Sequence, residues 1–212
     1  MGTVRSVDIA IEHTMPAVNE EAAFVAELRA GSQEAFAYLL GVYQNPVYNL
    51  VWHIVENQAD ASDVLQDVFV KVFKGIKGFN GESSLRTWIY RIAVHEASNY
   101  RRSWIRRHWR EPVSMDDSES PSAVVAAEAA SSDSSPYQAL EQAEREDVVR
   151  RALGSLAPPY RAVVVLREIE GLPYEEIARV LSLAEGTVKS RLMRGRELLR
   201  RKLASYVGKE HV

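Results

Sequence analysis

The chain has 212 residues, no cysteine, 46% hydrophobic residues and a formal net charge of −3. That apolar content suffices for one or two buried cores, and the absence of cysteine excludes disulfides, Cys-based zinc sites and thiol catalysis. The N-terminus lacks an apolar signal core and the longest aliphatic run, Ala162 to Leu166, is far too short to cross a bilayer, so a soluble, cytoplasmic protein is expected.

Residues 1–19 show no helical period and read as a loose tail. From Glu20 onward, Phe24, Leu28, Phe36, Leu39, Leu40, Tyr43, Val47, Leu50 and Val51 recur at three- and four-residue steps, which predicts amphipathic helices. Gly31–Ser32 breaks the first pattern and offers Ser32 as an N-cap. The spacing predicts another helix over Asp60–Ile76. Leu65, Val68, Phe69, Val72, Phe73 and Ile76 share one face of it, and Asp60, Asp63, Asp67, Lys71 and Lys74 the other. Gly75, Gly78 and Gly81 punctuate a loop, after which Ser84 can cap a helix from Leu85 to about Arg107.

From Glu111 to Ser135 the chain is rich in Ser, Ala and acids and nearly free of aromatics, the composition of a flexible linker. A second helical region runs from Pro136 to Val207, with breaks at Leu156–Pro159, Gly171–Pro173 and Ser182–Gly186. No period-two strand pattern and no internal repeat is present. The expected fold is all-α: two small helical domains, 20–107 and 138–207, tethered by an acidic linker over 108–137.

Charge is unevenly spread. Between Arg86 and Arg110 seven arginines face one acid, Glu96, whereas Glu111 to Leu140 holds six acids and no Lys or Arg. Two basic zones therefore flank an acidic spacer, and the small net charge conceals two anion-binding surfaces.

The segment Leu172–Lys202 carries the sharpest signal. Tyr174, Ile177, Ala178 and Leu181 form the buried side of a short helix. After a tight turn, a second helix aligns Val188, Leu192, Leu199 and Leu203, with Gly195 where a neighbour approaches. Its other side presents Lys189, Ser190, Met193, Arg194, Arg200 and Arg201, flanked by Arg191 and Arg196. A short helix, a turn and a basic second helix are what a helix-turn-helix needs to enter the major groove. A second constellation interleaves Trp88, Tyr90, Tyr100, Trp104 and Trp109 with Arg86, Arg91, Arg101, Arg102, Arg106 and Arg107, a pattern suited to single-stranded DNA. The carboxylates of Asp60, Asp63 and Asp67 share a helix face. They are read as a cap and a partner-binding face rather than a metal site, because no second carboxylate-rich helix is evident to oppose them.

These segments resemble a known family. DVLQDVFVKVFKGIKGFNGESSLRTWIYRIAVHEASNYRR resembles region 2, and YEEIARVLSLAEGTVKSRLMRGRELLRRKL resembles region 4, of the bacterial extracytoplasmic-function (ECF) sigma factors. The likeness covers about 24–104 and 138–207. It implies a non-catalytic specificity subunit that binds core RNA polymerase and directs promoter-specific initiation, with no cofactor and no metal. By resemblance, Asp63, Gln66, Asp67, Val70 and Lys71 dock on polymerase. Phe79, Asn80 and Ser83 in the loop, with Trp88, Arg91, His95, Asn99, Arg101 and Arg102 on the next helix, handle the melted −10 element and capture a flipped base. Thr187, Lys189, Ser190, Arg191 and Arg194 read the −35 element as duplex. The family also implies control by an anti-sigma factor, often held at the membrane, without insertion of this chain into the bilayer.

Three positions depart from the family pattern. His95 stands where relatives often carry Asn, Ser182 replaces a frequent glycine in the turn, and Ala184 offers no capping oxygen. Two other classes remain open on the residues alone. A conventional helix-turn-helix regulator would bind duplex sites tightly without polymerase, and a metal enzyme built on Asp60, Asp63 and Asp67 would show metal-dependent stability.

Overall fold

The computed structural model describes residues 18–110 and 136–207; the tail and the acidic linker lie outside the described residues. The elements are α1 (Val18–Ala30), α2 (Gln33–Val55), α3 (Gln58–Gly75), α4 (Leu85–Arg110), α5 (Pro136–Gly154), α6 (Pro158–Val164), α7 (Tyr174–Leu181) and α8 (Glu185–Val207). A 3-10 turn (Ile76–Gly78) follows α3, and a π turn (Val165–Ile169) extends α6. No strand occurs among the described residues.

Local chemistry sets most of the boundaries. Ser32 caps α2, its hydroxyl accepting from Ala35 N–H at 3.2 Å, and Asn57 caps α3 by accepting from Asp60 N–H at 3.1 Å. The α3 start was expected at Asp60; the side chain of Asn57, which can serve as an N-cap, moves it upstream. The α4 N-terminus is satisfied twice: Ser84 Oγ accepts from Thr87 N–H at 3.1 Å, and Glu21 of α1 accepts from Leu85 N–H at 2.8 Å. Two carboxylate or hydroxyl oxygens thus meet amide groups that have no partner inside the helix.

The N-terminal core is a three-helix seam. Leu39, Tyr43, Val47, Leu50 and Val51 of α2 meet Ala61, Val64, Val68 and Val72 of α3 and Leu85, Ile89, Ala93 and Ala97 of α4, all buried. The alanines let α4 approach closely, and the three- to four-residue spacing keeps each row on one face. In the C-terminal half, Val163, Val164, Val165 and Leu166 pack with Leu172, Ile177, Val180, Val188 and Leu192. A Cβ on Gly195 would sit 2.7 Å from Val164 Cγ2, so glycine is what lets α8 press against α6.

The two helical units expected from the sequence also meet each other directly. The two helical halves are packed together, and their buried residues form one continuous cluster. Arg161 of α6, only 1% exposed, lies at the seam. Its Nε donates to Leu153 O at 2.9 Å, its Nη2 to Leu156 O at 3.1 Å and to Gly154 O, and its Nη1 to Ile54 O at 3.2 Å. Glu56, which ends α2 in the left-handed conformation (φ 70°), pairs with Arg161 at 3.1 Å and with Arg101 of α4 at 2.9 Å. One guanidinium thereby serves the carbonyl ends of α5 and α2, where helix dipoles favour a cation.

Candidate nucleic-acid interface

The helix pair α7–α8 is joined by a turn whose geometry follows from one residue. Ser182 takes φ 52° and ψ 49°, a conformation glycine adopts at lower cost. Its N–H reaches Arg179 O at 3.4 Å and that of Leu183 reaches Ala178 O at 2.9 Å, the two bonds of a Schellman ending. Ala184 caps α8 with its backbone alone, its carbonyl accepting from Thr187 N–H at 2.9 Å and Val188 N–H at 3.1 Å. Val180, which the sequence reading left out of the buried side of α7, is buried beside Ile177.

The outward face of α8 is open. Lys189, Ser190 and Arg194 are exposed and Met193 is 71% exposed, while Thr187 and Arg191 are half-buried. The basic residues divide by partner. Arg196 is held by Glu168 at 2.6 Å, and Arg200 and Arg201 by Glu197 at 2.8 Å each. Lys189 lies 3.9 Å from Glu185, and Arg191 and Arg194 make no ion pair among the described residues. The cations with the weakest internal commitments therefore cluster near the N-terminal half of α8, the part that meets base edges in a helix-turn-helix.

Around the loop after α3 the expected residues differ in exposure. Phe79 is 5% exposed and turned inward, its ring 5.2 Å from that of half-buried Trp88. Its ring anchors the loop to the core, because burial beside Trp88 gains more than solvent contact. Gly75 lies under the same indole, where a Cβ would be 3.2 Å from Trp88 Cζ2. Asn80 is exposed at the tip, with Oδ1 accepting from Glu82 N–H at 3.3 Å, and Ser83 is half-buried.

Along α4, His95 and Arg102 are exposed and Asn99 sits between them. Arg102 donates to Asn99 Oδ1 at 2.5 Å, and Asn99 Nδ2 lies 3.1 Å from His95 Nδ1. Glu96 takes His95 Nδ1 at 2.9 Å and Lys71 of α3 at 2.5 Å. Burial pushes the Glu96 carboxyl up, but the Lys71 and His95 contacts outweigh it and hold it below its ordinary range. Arg101 is committed within the protein. It is half-buried and donates to Ile54 O at 2.8 Å and to Glu56 at 2.9 Å, so its guanidinium holds the α2 end.

Arg91 is exposed, and its Nη2 donates to Arg179 O of α7 at 2.8 Å. Two residues of the aromatic–arginine constellation to which the resemblance gave no role accompany it. Arg86 donates to Glu170 O at 3.1 Å, and the buried Tyr90 donates its hydroxyl to Glu170 Oε2 at 2.7 Å. The signal for both was present in the aromatic–arginine interleaving, but nothing local identified their partner.

On α3, Asp63, Gln66, Asp67 and Lys71 are exposed on a ridge with Val70 at 48% and Phe73 at 59% exposure. Phe73, placed on the buried face by periodicity, is instead open on one side and touches Phe36 with ring centroids 4.8 Å apart. Asp60 turns away from this ridge toward Tyr100. Burial and then the Asp60 carboxylate push that phenol up to about 12. Among the described residues no three His, Asp or Glu side chains converge as metal ligands.

A helix-turn-helix with an open basic face, joined to a helical bundle carrying an arginine–aromatic strip, defines a class of DNA-reading proteins built from two helical units. Comparison with known proteins narrows this. Residues 39–111 match the model "Sigma-70 region 2" and residues 146–199 match "Sigma-70, region 4". The ECF RNA polymerase sigma-E factor of Haemophilus influenzae is 35% identical over 181 residues, covering 85% of this chain and 94% of that protein. The sigma-E factor of Escherichia coli K12 is 35% identical over 179 residues, covering 84% and 92%. The chain belongs to the extracytoplasmic-function sigma factors of the sigma-70 family. Its fold is similar to that of CnrH bound to the cytosolic domain of CnrY (24% identity, TM-score 0.63, 87% of this chain and 97% of that one). It is also similar to the Bartonella quintana sigma factor RpoE in complex with the anti-sigma factor NepR (23% identity, TM-score 0.62, 80% and 96%).

Proposed function

We propose that this chain binds core RNA polymerase and directs promoter-specific initiation, acting as a specificity subunit without catalysis of its own, in the cytoplasm. The observation that carries this reading is the pairing of two outward surfaces, each with the chemistry of a different partner. The α3 ridge offers Asp63, Gln66 and Asp67 beside exposed Val70 and Phe73, a mixed acidic and apolar surface that suits a protein partner. The α8 face offers Lys189, Ser190, Arg191 and Arg194, with Thr187 at its start, to duplex DNA. The melted −10 strand is assigned to Asn80, Ser83, Trp88, Arg91, His95, Asn99 and Arg102, with Phe79 shaping the loop from beneath. Residues 20–107 and 138–207 are the two functional units, and 108–137 is their connector.

An anti-sigma partner is part of the proposal, since one similar solved chain is bound to such a factor. The decisive experiment is reconstitution with core polymerase. Promoter-dependent transcripts should appear, and Asp63→Asn with Asp67→Asn should weaken polymerase binding without changing thermal stability. If core polymerase neither binds the purified chain nor gains selectivity from it, the reading fails; tight duplex binding by the chain alone would favour a conventional regulator instead.

A further inference from the structure

Glu96 is the single acid between Arg86 and Arg110, on a helix otherwise rich in arginine. A carboxylate in such a place repels phosphate, so its presence needs a physical reason. An ion pair across to α3 accounts for one of its oxygens only. Oε2 takes Lys71 Nζ at 2.5 Å, while Oε1 takes His95 Nδ1 at 2.9 Å. The Glu96 side chain is 13% exposed against 66% for His95, so a largely covered carboxylate holds an imidazole that is open to solvent.

Burial opposes ionisation of Glu96, yet the Lys71 and His95 contacts keep its carboxyl below the ordinary range. Both oxygens therefore only accept, and a neutral His95 ring meets Oε1 with its proton on Nδ1. Nε2 is then the ring's lone pair. Asn99 Nδ2, 3.1 Å from Nδ1 and 3.3 Å from Nε2, can only donate, and Nε2 is the nitrogen left to accept it. Arg102 Nη2, also a donor only, fixes the other end by giving its hydrogen bond to Asn99 Oδ1 at 2.5 Å. Every bond from Arg102 to Glu96 thus runs in one direction. An asparagine amide has two N–H hydrogens and two carbonyl lone pairs. Beyond these bonds Asn99 keeps one donor and one acceptor for a base, on sides that the chain of bonds has fixed.

We infer that Glu96 is a positioning residue for −10 reading: by fixing the His95 tautomer it sets the orientation of the Asn99 amide, and with it the base that Asn99 prefers. This role rests on the function proposed above and falls to a residue that the resemblance left without one. It also gives the histidine at position 95 a consequence. A neutral imidazole relays a direction because one nitrogen donates and the other accepts, and a carboxylate on Nδ1 decides which is which. Base recognition depends on that direction, since an asparagine matches a base edge only when donor meets acceptor on both sides.

Glu96→Gln tests the role without a change of size. Lys71 can only donate, so it takes the one amide oxygen; the NH2 group then faces His95 Nδ1, which must become the acceptor and leave the proton on Nε2. Nitrogen-15 NMR of the full chain labelled at histidine, at about pH 8 and so above the ordinary imidazole range, reads the tautomer. The His95 signals are identified by their loss in His95→Asn. Wild type should carry the proton on Nδ1 and Glu96→Gln on Nε2. Base preference is read by transcription with core polymerase from promoters that differ by one base within the −10 element. Asn99→Ala marks the position that Asn99 reads. There Glu96→Gln should lower discrimination between the best and second-best base at least about fivefold, the low end for one two-bond base contact. In a His95→Asn background Glu96→Gln should have no such effect, because the relay is gone. Mere support of the helix would instead change output from all promoters alike. A wild-type proton on Nε2 overturns the inference. So does an Asn99→Ala profile that marks no position, an unchanged preference in Glu96→Gln, or an effect that persists in the His95→Asn background. If the wild-type chain yields no promoter-dependent transcript, the proposed function itself fails, while the tautomer, read without polymerase, still decides whether Glu96 directs His95.

Discussion

Replacing Arg161 with methionine keeps the length and apolar stem of the side chain and removes a guanidinium that is 1% exposed. Leu153 O retains a bond from Leu156 N–H at 3.0 Å and Ile54 O retains Arg101 at 2.8 Å, so these two carbonyls are not stranded. Glu56 likewise keeps Arg101. The loss falls on Gly154 O and Leu156 O, which take their hydrogen bonds from Arg161 Nη2. A buried acceptor left unsatisfied costs roughly 1–3 kcal/mol, and the second partner of Glu56 keeps the ion-pair loss below the roughly 3–5 kcal/mol of an orphaned charge. The expected destabilisation is about 3–4 kcal/mol, which for a chain of this size lowers Tm by about 10 °C. Thermal unfolding followed by circular dichroism measures it. Arg161→Lys should lose about half as much, because one ammonium cannot reach carbonyls on two helix ends at once. A Tm within about 2 °C of wild type for Arg161→Met would refute the reasoning, since it would mean that the guanidinium is not what satisfies these groups.

Three further outcomes are expected. Ser182→Gly relieves an L-residue held at φ 52° and should stabilise the chain by about 0.5–1 kcal/mol, with Tm rising a few degrees in the same melting experiment; a fall would mean the Ser182 side chain contributes a contact that outweighs the strain. Burial, and then the Arg150 charge, hold the His53 imidazole below its ordinary value of 6.5, so the folded chain binds that proton less readily than the unfolded one. The His53 contribution is complete above about pH 6.5 and is lost as pH falls below it; urea midpoints from pH 7.5 to 5.0 should drop less steeply for His53→Gln. Arg194→Ala, removing an exposed cation with no ion pair among the described residues, should weaken duplex binding of the polymerase complex and lower the slope of log K against log salt by about 0.9 if that residue meets a phosphate, a result read by titration at several salt concentrations.

Helix identity and helix boundaries were largely legible in the linear pattern because they depend on neighbours three or four residues away. On α3, Val68, Val72 and Ile76 are buried as their spacing predicts, whereas Leu65 and Phe69 are only partly buried and Ala61 and Val64 complete the row. Ser32, Ser84 and the turn at Ser182 follow from local hydrogen-bonding chemistry. The basic face of α8, the glycine at position 195 and the sigma-family segments are of the same local kind. Where periodicity was followed too far, as at Phe73, the helix face ran past the edge of the core and left the ring half outside.

The tertiary structure decided which cations are committed and which surfaces are covered. Arg101 and Arg102 are adjacent and chemically identical, yet one is spent on Ile54 O and Glu56 while the other lies exposed on Asn99. Phe79 reads as a loop residue in the sequence and becomes core only because Trp88 lies against it. The pairing of Arg161 with Ile54, 107 residues apart, and of Tyr90 with Glu170, 80 apart, joins the two halves. A guanidinium carries no mark of its eventual acceptor. Its choice depends on which helix ends and carbonyls the packed core brings within about 3 Å, and that is a property of the assembled halves rather than of any segment.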